Sequence, residues 1–600
     1  MGMLVTLGSC KKYLDQVPDS VAFSENQIFT DSAQSQKFID QLLVPYTYFD
    51  DNDMFVTNAN NGFFGKAVYG LREKISDNII PNSQYNWIDG NSVRQGNNFY
   101  RASAAPYWNE SAYDRFRDYW KAIRVANISI ANVNRINGIT PDIKAKILGE
   151  AYFLRGHFYF MILEAWGGMP WITAPLDPGQ NMDLPRDSYT GTAQKIANTF
   201  DSASLYLPLV VNNADYNRPS KMAALAYKAK ALMWAACPFA NPGNNQKLWQ
   251  DAAVATAQAI DVAEKSGYYH LVDFPNWRNM FIDVNEEALH EIIFGRFFQN
   301  FQYMTYGPYH IKPKSVAFGS NGTGCESATE NLAQCFAWNN GEPVDPSTAE
   351  YKSNPYTGDG VTHTGRDPRM KLTLMYNGHT NSIVQKYNRT VEIWNESYNN
   401  VGAQELQVSG GNPVAGNTVT GYYNYKYLPD AAVTGGKSST MWNYIRLADL
   451  YLFYAEAANR AWGPTASPQG INGFTLTAVQ ALNKIRLRAN MPAYDNSKPW
   501  LTIGSADQFE KIVRNESRIE TAYEEKRYYD LRRWNLLTDP ATTGTMYGLY
   551  IKRTGPATFQ YSVVTLPDNM QLKYQERHKL FPINPADTYL GPSFVQNPGW

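Results

Sequence analysis

Three glutamates near the C-terminus have a spacing at which carboxylates could carry out acid–base chemistry. Glu516, Glu520 and Glu524 lie at i, i+4 and i+8, so one continuous helix would place them on a single face. A glycosidase instead needs two carboxylates that face each other across the bond being cut. Three cations lie in the same stretch: Arg518, Lys526 and Arg527. Because such neighbours keep carboxylates ionised, the pattern predicts an ion-pair lattice within the scaffold and no catalytic pair.

Other catalytic and metal motifs are missing from the sequence. It contains no G-x-S-x-G elbow, P-loop or Rossmann fingerprint, and its 7 His residues form no H-E-x-x-H motif or paired-ligand spacing. No cofactor is therefore expected. Asp- and Asn-rich loops leave room for a structural calcium ion, although no EF-hand pattern supports one.

The cysteines favour an exported protein. Cys10 follows Leu7-Gly8-Ser9, a small-residue pattern cut by lipoprotein signal peptidase. We interpret residues 1–9 as a signal remnant and Cys10 as the lipidated residue; the alternative is a chance cysteine in an apolar N-terminus. In an oxidising compartment, Cys325 and Cys335 could form a disulfide, and Cys237 is predicted to be a small buried hydrophobe.

Charge and hydropathy exclude two classes of protein. Lys and Arg number 54 against 55 Asp and Glu, so no basic field is available to recruit nucleic acid. No uncharged apolar run reaches 18 residues, which excludes a membrane-spanning helix. The longest candidate, Leu447–Ala458, contains Asp449 and Glu456 and is predicted to be a buried helix.

Apolar residues recur at helical spacing over two blocks, approximately 119–265 and 441–534. The helices predicted in addition to the C-terminal Asn515–Trp534 are Tyr119–Ile136, Ile143–Trp166, Thr192–Tyr206, Lys221–Ala236, Ala252–Lys265, Trp442–Ala461 and Leu476–Ala489. Closely spaced alanines would let paired helices approach tightly, as in helix–turn–helix repeats. The pairs lack the strict 34-residue tetratricopeptide consensus, so divergent repeats are predicted.

Long stretches rich in Asn, Gly, Tyr and Pro, approximately 49–115 and 297–437, are predicted to be loops that carry function. Tyr and Trp help to make up an aromatic content of 14%, and their rings suit stacking against sugars. The predicted ligand residues of the first loop are Asp77, Asn78, Tyr85, Asn86, Trp87, Asp89 and Asn91. A second group comprises Tyr303, Tyr306, Tyr309 and Trp338. Alternatively, Trp87 anchors its loop to the helices. The turn Arg366–Arg369 is predicted to be structural.

Five segments resemble, in order, motifs of the SusD/RagB family of outer-membrane lipoproteins. They are Gly149–His157 with Gly167–Pro170, Ile445–Ala457, Asn515–Glu520 with Tyr529–Trp534, Leu580–Ile583, and Gln596–Trp600. The sequence departs from the family pattern at Glu516-Ser517-Arg518, where the usual Glu-Arg pair is shifted, and at Asn584.

The resemblance implies a mainly α, SusD-like fold over residues 10–600, in which four divergent tetratricopeptide-like helix pairs support a loop-rich region with little β structure. It also implies a lipid-anchored protein on the extracellular face of the outer membrane. Such proteins deliver glycans, and sometimes peptides, to a SusC-like TonB-dependent transporter without chemical turnover. The alternatives are the same fold capturing peptides and, third, a secreted glycoside hydrolase.

Overall fold

Helices make up most of the regular structure in the computed structural model, which describes residues 28–40, 43, 57–58, 63–64, 71–81, 93–97, 99, 112–176, 180, 183–211, 216–302, 326–380, 390–394, 418–428, 437–588 and 591–600. The α-helices of seven or more residues in these ranges are α1 Ser32–Asp40, α2 Ala112–Asn132, α3 Pro141–Trp166, α4 Tyr189–Ser204, α5 Lys221–Ala236, α6 Gln246–Lys265, α7 Leu447–Trp462, α8 Ala478–Arg488, α9 Ala506–Glu520 and α10 Arg527–Arg533. Short α-helical turns are Leu71–Lys74, Glu286–Leu289, Glu330–Ala333, Ala349–Ser353, Met370–Thr373, Pro540–Thr543 and Pro585–Thr588. Short 3-10 turns are Val133–Arg135, Phe274–Met280, Pro499–Leu501, Asp568–Met570 and Glu576–Lys579. The expected mainly helical fold is confirmed.

The long helices pack in a row. Each helix from α2 to α5 packs against the next one along the chain, and α6 then packs against α7. The contact between α6 and α7 joins the two helical blocks predicted from periodicity. α7 in turn packs against α8 and α9. Neighbour-on-neighbour packing of this kind is the arrangement of helical repeats, while the four tetratricopeptide-like pairs stay a prediction.

Local sequence explains where α3 begins, ends and meets its neighbour. The Thr140 side chain accepts a hydrogen bond from the Ile143 amide, and Pro141 occupies the first turn. Gly167, at a φ of 87°, ends the helix. Within the helix, a Cβ on Gly156 would lie 3.0 Å from the Phe200 ring of α4. Glycine at this position therefore lets α3 and α4 approach closely.

Alanine residues let α5 approach its neighbouring helices closely. Its alanines at 223, 224, 226, 229 and 231 are fully buried, and the helix has α4 on one side and α6 on the other. The Ser220 side chain caps the first turn by accepting a hydrogen bond from the Ala223 amide at 3.1 Å. Small side chains on both faces allow α5 to sit inside the row.

Antiparallel strand pairs, most of them short, accompany the helices in the described ranges. The strands are β1 Thr57–Asn58, β2 Phe63–Phe64, β3 Ile79–Pro81, β4 Ile292–Gln302, β5 Glu326–Ala328, β6 Leu374–Met375, β7 Tyr423–Asn424, β8 Lys437–Arg446, β9 Tyr547–Arg553 and β10 Phe559–Thr565. They pair as β1 with β2, β3 with β5, β4 with β8, β6 with β7, and β9 with β10. The predicted loop over 297–437 thus contains part of β4 and several short elements as well as irregular chain.

The predicted helix Trp442–Ala461 is wrong at its start. Residues up to Arg446 belong to β8, and α7 begins at Leu447. A short apolar run does not distinguish a buried strand from a buried helix. These residues form a strand because β4, far upstream in the chain, supplies its hydrogen-bonding partner, with Ile292 opposite Arg446. The prediction that Leu447–Ala458 is a buried helix is confirmed.

The predicted continuous helix Asn515–Trp534 is also wrong, because it is two helices. α9 ends at Glu520 and α10 begins at Arg527. Between them, Tyr523 and Glu525 have positive φ angles of 66° and 61°. Such angles end a helix and are costly for residues other than glycine, so surrounding contacts must hold the turn.

Those contacts are buried ion pairs centred on Glu520. Its carboxylate pairs with Arg369 at 3.0 Å, with Arg446 at 2.9 Å and with Arg488. Glu524, in the turn, receives Nη2 of Arg446 at 2.8 Å and Nζ of Lys426 at 2.6 Å. Burial alone would raise the pKa of Glu520, but the guanidinium groups of Arg488, Arg446 and Arg369 hold it well below its usual value. The predicted ion-pair lattice therefore exists, but in the interior and across a helix break.

Glu520→Gln should lower the free energy of unfolding by about 3–5 kcal/mol, because it leaves several buried guanidinium groups without a full counter-charge. Denaturant titration would measure this loss. Asp261→Asn is the matched control, since it removes a surface pair with Lys265 on α6 and should cost less than about 1 kcal/mol. Equal effects of the two substitutions would contradict a central role for Glu520.

Candidate ligand-binding site

Strands β3 and β5 bring together the ends of two predicted ligand loops. Their antiparallel register places Pro81 opposite Glu326. We define the first loop as the segment 82–92 of the predicted stretch 49–115, which directly follows Pro81, and the second loop as the segment 303–325 of the predicted stretch 297–437, which directly precedes Glu326. The chain segments that carry Trp87 and Tyr309 are therefore attached at the same end of one sheet.

Arg94 fixes the two ends of the first loop to each other. Its buried Nη1 donates to the carbonyl oxygens of Lys74 at 3.1 Å, Ser76 at 2.5 Å and Ile79 at 2.9 Å. Its Nη2 donates to the Met570 carbonyl at 2.9 Å. A residue just after the loop thus holds the backbone just before it. Loops whose ends are closed in this way are frequently functional.

A third stretch of chain meets the same sheet. The Val419 amide donates to Oγ of Ser327 at 3.1 Å, and Nδ2 of Asn424 donates to Oε2 of Glu326 at 3.2 Å. Nζ of Lys74 lies 3.5 Å from the other oxygen of Glu326. β5 therefore connects three long segments of the predicted loop-rich region at their stems, by which we mean the described residues that flank each segment.

Asp77 is held in the interior by two arginines. Arg527 binds its carboxylate with two hydrogen bonds of 2.7 and 2.8 Å, and Arg518 lies 3.0 Å away. Burial would raise the pKa of Asp77, but the charges of Arg518 and Arg527 lower it to about 2. With 0% of its surface exposed, the residue fixes the base of the loop, and a contact with ligand would require these ion pairs to break.

Asn78 is also committed to internal contacts. Its Nδ2 donates to Glu73 at 2.7 Å, and its Oδ1 accepts from Nε of Arg518 at 2.7 Å. The amide of Thr329 donates to the Asn78 carbonyl at 2.8 Å, which extends the sheet toward the next turn. Burial raises the pKa of Glu73 to about 7, although its hydrogen bonds oppose the shift.

Trp338 does not present a ring face to solvent. The side chain is buried, its ring stacks on His363 with centroids 4.6 Å apart, and the Arg366 guanidinium lies 5.3 Å from the ring centre. Arg366 is buried and donates to the carbonyls of Phe336, Pro355 and Ala333. The predicted structural role of the Arg366–Arg369 turn is confirmed, and Trp338 shares it.

The remaining predicted site residues lie outside the described ranges. They are Cys10, Tyr85, Asn86, Trp87, Asp89, Asn91, Tyr303, Tyr306 and Tyr309. Cys325 also lies outside them, so its pairing with Cys335 stays a prediction. Cys237 is buried and donates to the Trp234 carbonyl, as predicted for a small hydrophobe.

Sequence reasoning misses the residues that hold the loop stems. Arg94 carries no motif, and the sequence places Arg518 in an ion-pair lattice on its own helix although it also binds Asp77 at the loop base. The sequence offers no signal for either residue, because Arg94 and Arg518 lie among polar neighbours such as Gln95 and Ser517. Among the described residues, no group of three or more His, Cys, Asp and Glu is arranged to hold a metal ion. In the same ranges, no helix is both long and apolar enough to cross a bilayer.

A row of helices carrying loops with fixed stems is a scaffold for ligand binding. A model of the SusD family matches residues 287–600. A second model, described as starch-binding associating with outer membrane, matches residues 12–233. The chain belongs to the SusD family, which confirms the resemblance found in its motifs. The SusD family comprises binding proteins without catalytic activity, and the expectation that the chain is not an enzyme is confirmed on this ground.

Relatives of known sequence and structure match over most of the chain. SusD-like protein P25 of Formosa agariphila is 22% identical over 547 residues, which cover 88% of each protein. The crystal structure of a SusD-like protein from Bacteroides fragilis superposes with a TM-score of 0.69 at 21% identity, covering 96% of this chain and 98% of that one. A laminarin-binding SusD-like protein gives a TM-score of 0.58 at 16% identity, covering 95% and 100%. The structural matches establish the shared fold.

Asp77→Asn should destabilise the protein at pH 7 by at least about 2 kcal/mol, the linkage value for a carboxyl whose pKa falls from 3.8 to about 2 on folding. A carboxyl group whose pKa is lower in the folded than in the unfolded protein stabilises the fold at pH values above its pKa in the unfolded protein. The difference in free energy of unfolding between the wild type and the variant should therefore shrink as the pH falls from about 4 to 2. Unfolding titrations at several pH values would measure it.

Asp568→Asn is the control, because the Asp568 side chain is 82% exposed and its loss should change stability little. If Asp77 contacts ligand instead, the variant would lose affinity for glycan while keeping its stability.

Proposed function

We propose that this protein captures a glycan at the bacterial cell surface and delivers it to a SusC-like TonB-dependent transporter in the outer membrane. One observation carries the proposal: the β3–β5 pair and the Arg94 contacts hold the stems of two aromatic-rich loops side by side. We infer that a bound sugar chain contacts residues of both loops.

The residue types in the loops suit sugars. Trp87 and Tyr85 supply ring faces for stacking, and Asp89 and Asn91 supply acceptors and donors for neighbouring hydroxyls. In the second loop, Tyr306 and Tyr309 add further rings. A solved relative of the same fold is named as laminarin-binding, which makes a β-glucan a rational first probe.

Outer-membrane attachment would follow from Cys10. The family model that matches residues 12–233 is described as associated with the outer membrane, in agreement with an anchored protein. Acylation of Cys10 would hold residues 10–600 on the extracellular face as a single domain, close to the transporter. Peptide capture by the same loops is the second candidate, because fold alone does not select the ligand.

Trp87→Ala should abolish retention of the protein in native gels that contain laminarin or another cognate polysaccharide, since stacking would lose its main ring face. The melting temperature should stay nearly unchanged. Trp462→Ala is a matched control, because Trp462 lies half-buried at the end of α7 and should leave the gel shift intact. An unaltered shift for Trp87→Ala would remove this ring from the site.

Incubation of the purified protein with a polysaccharide panel should release no new reducing ends, because Glu516 and Glu520 of α9 are held in buried ion pairs. Calorimetry with the same panel, and in parallel with a tryptic peptide mixture, identifies the ligand class. Heat with peptides and none with polysaccharides would select peptide capture. New reducing ends would overturn the assignment as a binding protein.

A further inference from the structure

A ligand-sized cavity, whose lining includes no residue of β3 or β5, lies along one side of α2. It has a volume of about 640 Å³, within the usual range for small-molecule sites. Its wall on α2 extends from Phe116 to Asn127, which is about 16 Å of helix. Apolar side chains form most of the surface: Phe116, Trp120, Ile172, Pro175, Leu176 and Phe594.

The polar side chains in the cavity wall are largely occupied. Nδ2 of Asn127 donates to the Ile172 carbonyl at 3.0 Å, and its Oδ1 accepts from Arg155 at 3.2 Å. Arg117 pairs with Asp587 at 3.1 Å. A sugar or a peptide backbone buried here would give up hydrogen bonds to water and regain few of them. The lining therefore favours a hydrocarbon chain.

Arg124 supplies a cation beside this apolar surface. Its Nη1 donates to the Leu176 carbonyl at 3.0 Å, and no carboxylate of the described residues forms an ion pair with it. The side chain is exposed and lies one helical turn from Trp120. Its free donors can bind one anionic group at the mouth of the cavity.

We propose that this cavity binds a free long-chain carboxylate, with the alkyl chain against Phe116, Trp120 and Phe594 and the carboxylate on Arg124. One charged head and one apolar tail match the cation of Arg124 and the apolar wall, while the other two cations of the lining, Arg117 and Lys121, pair with Asp587 and Asp118. The proposal is independent of the glycan site, because it uses residues of α2, the segment after α3 and the C-terminus.

Calorimetry of the full chain with octanoate and decanoate, both below their micellar concentrations, tests this directly. Decanoate should bind with one-to-one stoichiometry, and each added methylene should tighten binding about fourfold. Decanol, which lacks the charge, should bind about tenfold more weakly than decanoate.

Two variants locate the binding. Ala174→Trp places a large ring at an exposed position of the cavity wall and should abolish binding of both ligands. Arg124→Gln should weaken decanoate about tenfold and leave decanol unchanged. Arg135→Gln, just beyond the end of α2, is the matched control and should bind as wild type. Unaltered melting temperatures would verify that the variants fold.

Several results would overturn the proposal. They are no binding of decanoate, undiminished binding in Ala174→Trp, and a preference for decanoate over decanol that survives in Arg124→Gln. Retention on anionic phospholipid vesicles that Ala174→Trp abolishes, together with no binding of free decanoate, would assign the cavity to membrane lipid and would likewise refute a free carboxylate.

Discussion

The buried carboxylate of Glu520 is the constraint on which the rest of the structure depends. An ionised group in the interior is tolerated only while cations surround it. Those cations come from β8, from the end of α8 and from the turn that contains Arg369. A half-completed network costs more than an apolar core, so these distant segments must be in place together. The network thereby joins the helical row and the loop-bearing region into a single cooperative unit.

The helix that ends at Glu520, α9, also contacts the base of the first ligand loop. α9 ends at Glu520 in the network, and two residues earlier Arg518 reaches Asp77 and Asn78 at the base of the first loop. Arg527, after the break, also binds Asp77. Charge pairing with α9 and α10 thus positions the base of the first loop, in addition to the β3–β5 pairing, the Arg94 contacts and the burial of Ile79 and Ile80 in the hydrophobic core.

The regions of the fold that depend on local sequence could be predicted. Lys221–Ala236 has its predicted bounds, and the end of α3 at Trp166 follows from Gly167. The start of α7 could not be predicted, because β8 is a strand only through its pairing with β4. From its residue type alone, Asp77 is predicted to bind ligand. Its arginine partners lie 441 and 450 positions away in the sequence, so no spacing pattern reveals the ion pairs that hold it in the interior. For Trp87 and its neighbours, residue type alone supports the assignment.

The contacts of Arg94 have a consequence for how such a protein can diversify. The backbone at Ile79 and the residue at 94 are tied to each other independently of the chain that joins them. The entropy of closing a loop changes only slowly with its length. A segment of different length or composition could therefore be exchanged between Pro81 and Val93 without altering the body that carries it. In evolution, the ligand preference could therefore change by replacement of this one segment, and the folding of the helices would not constrain the change.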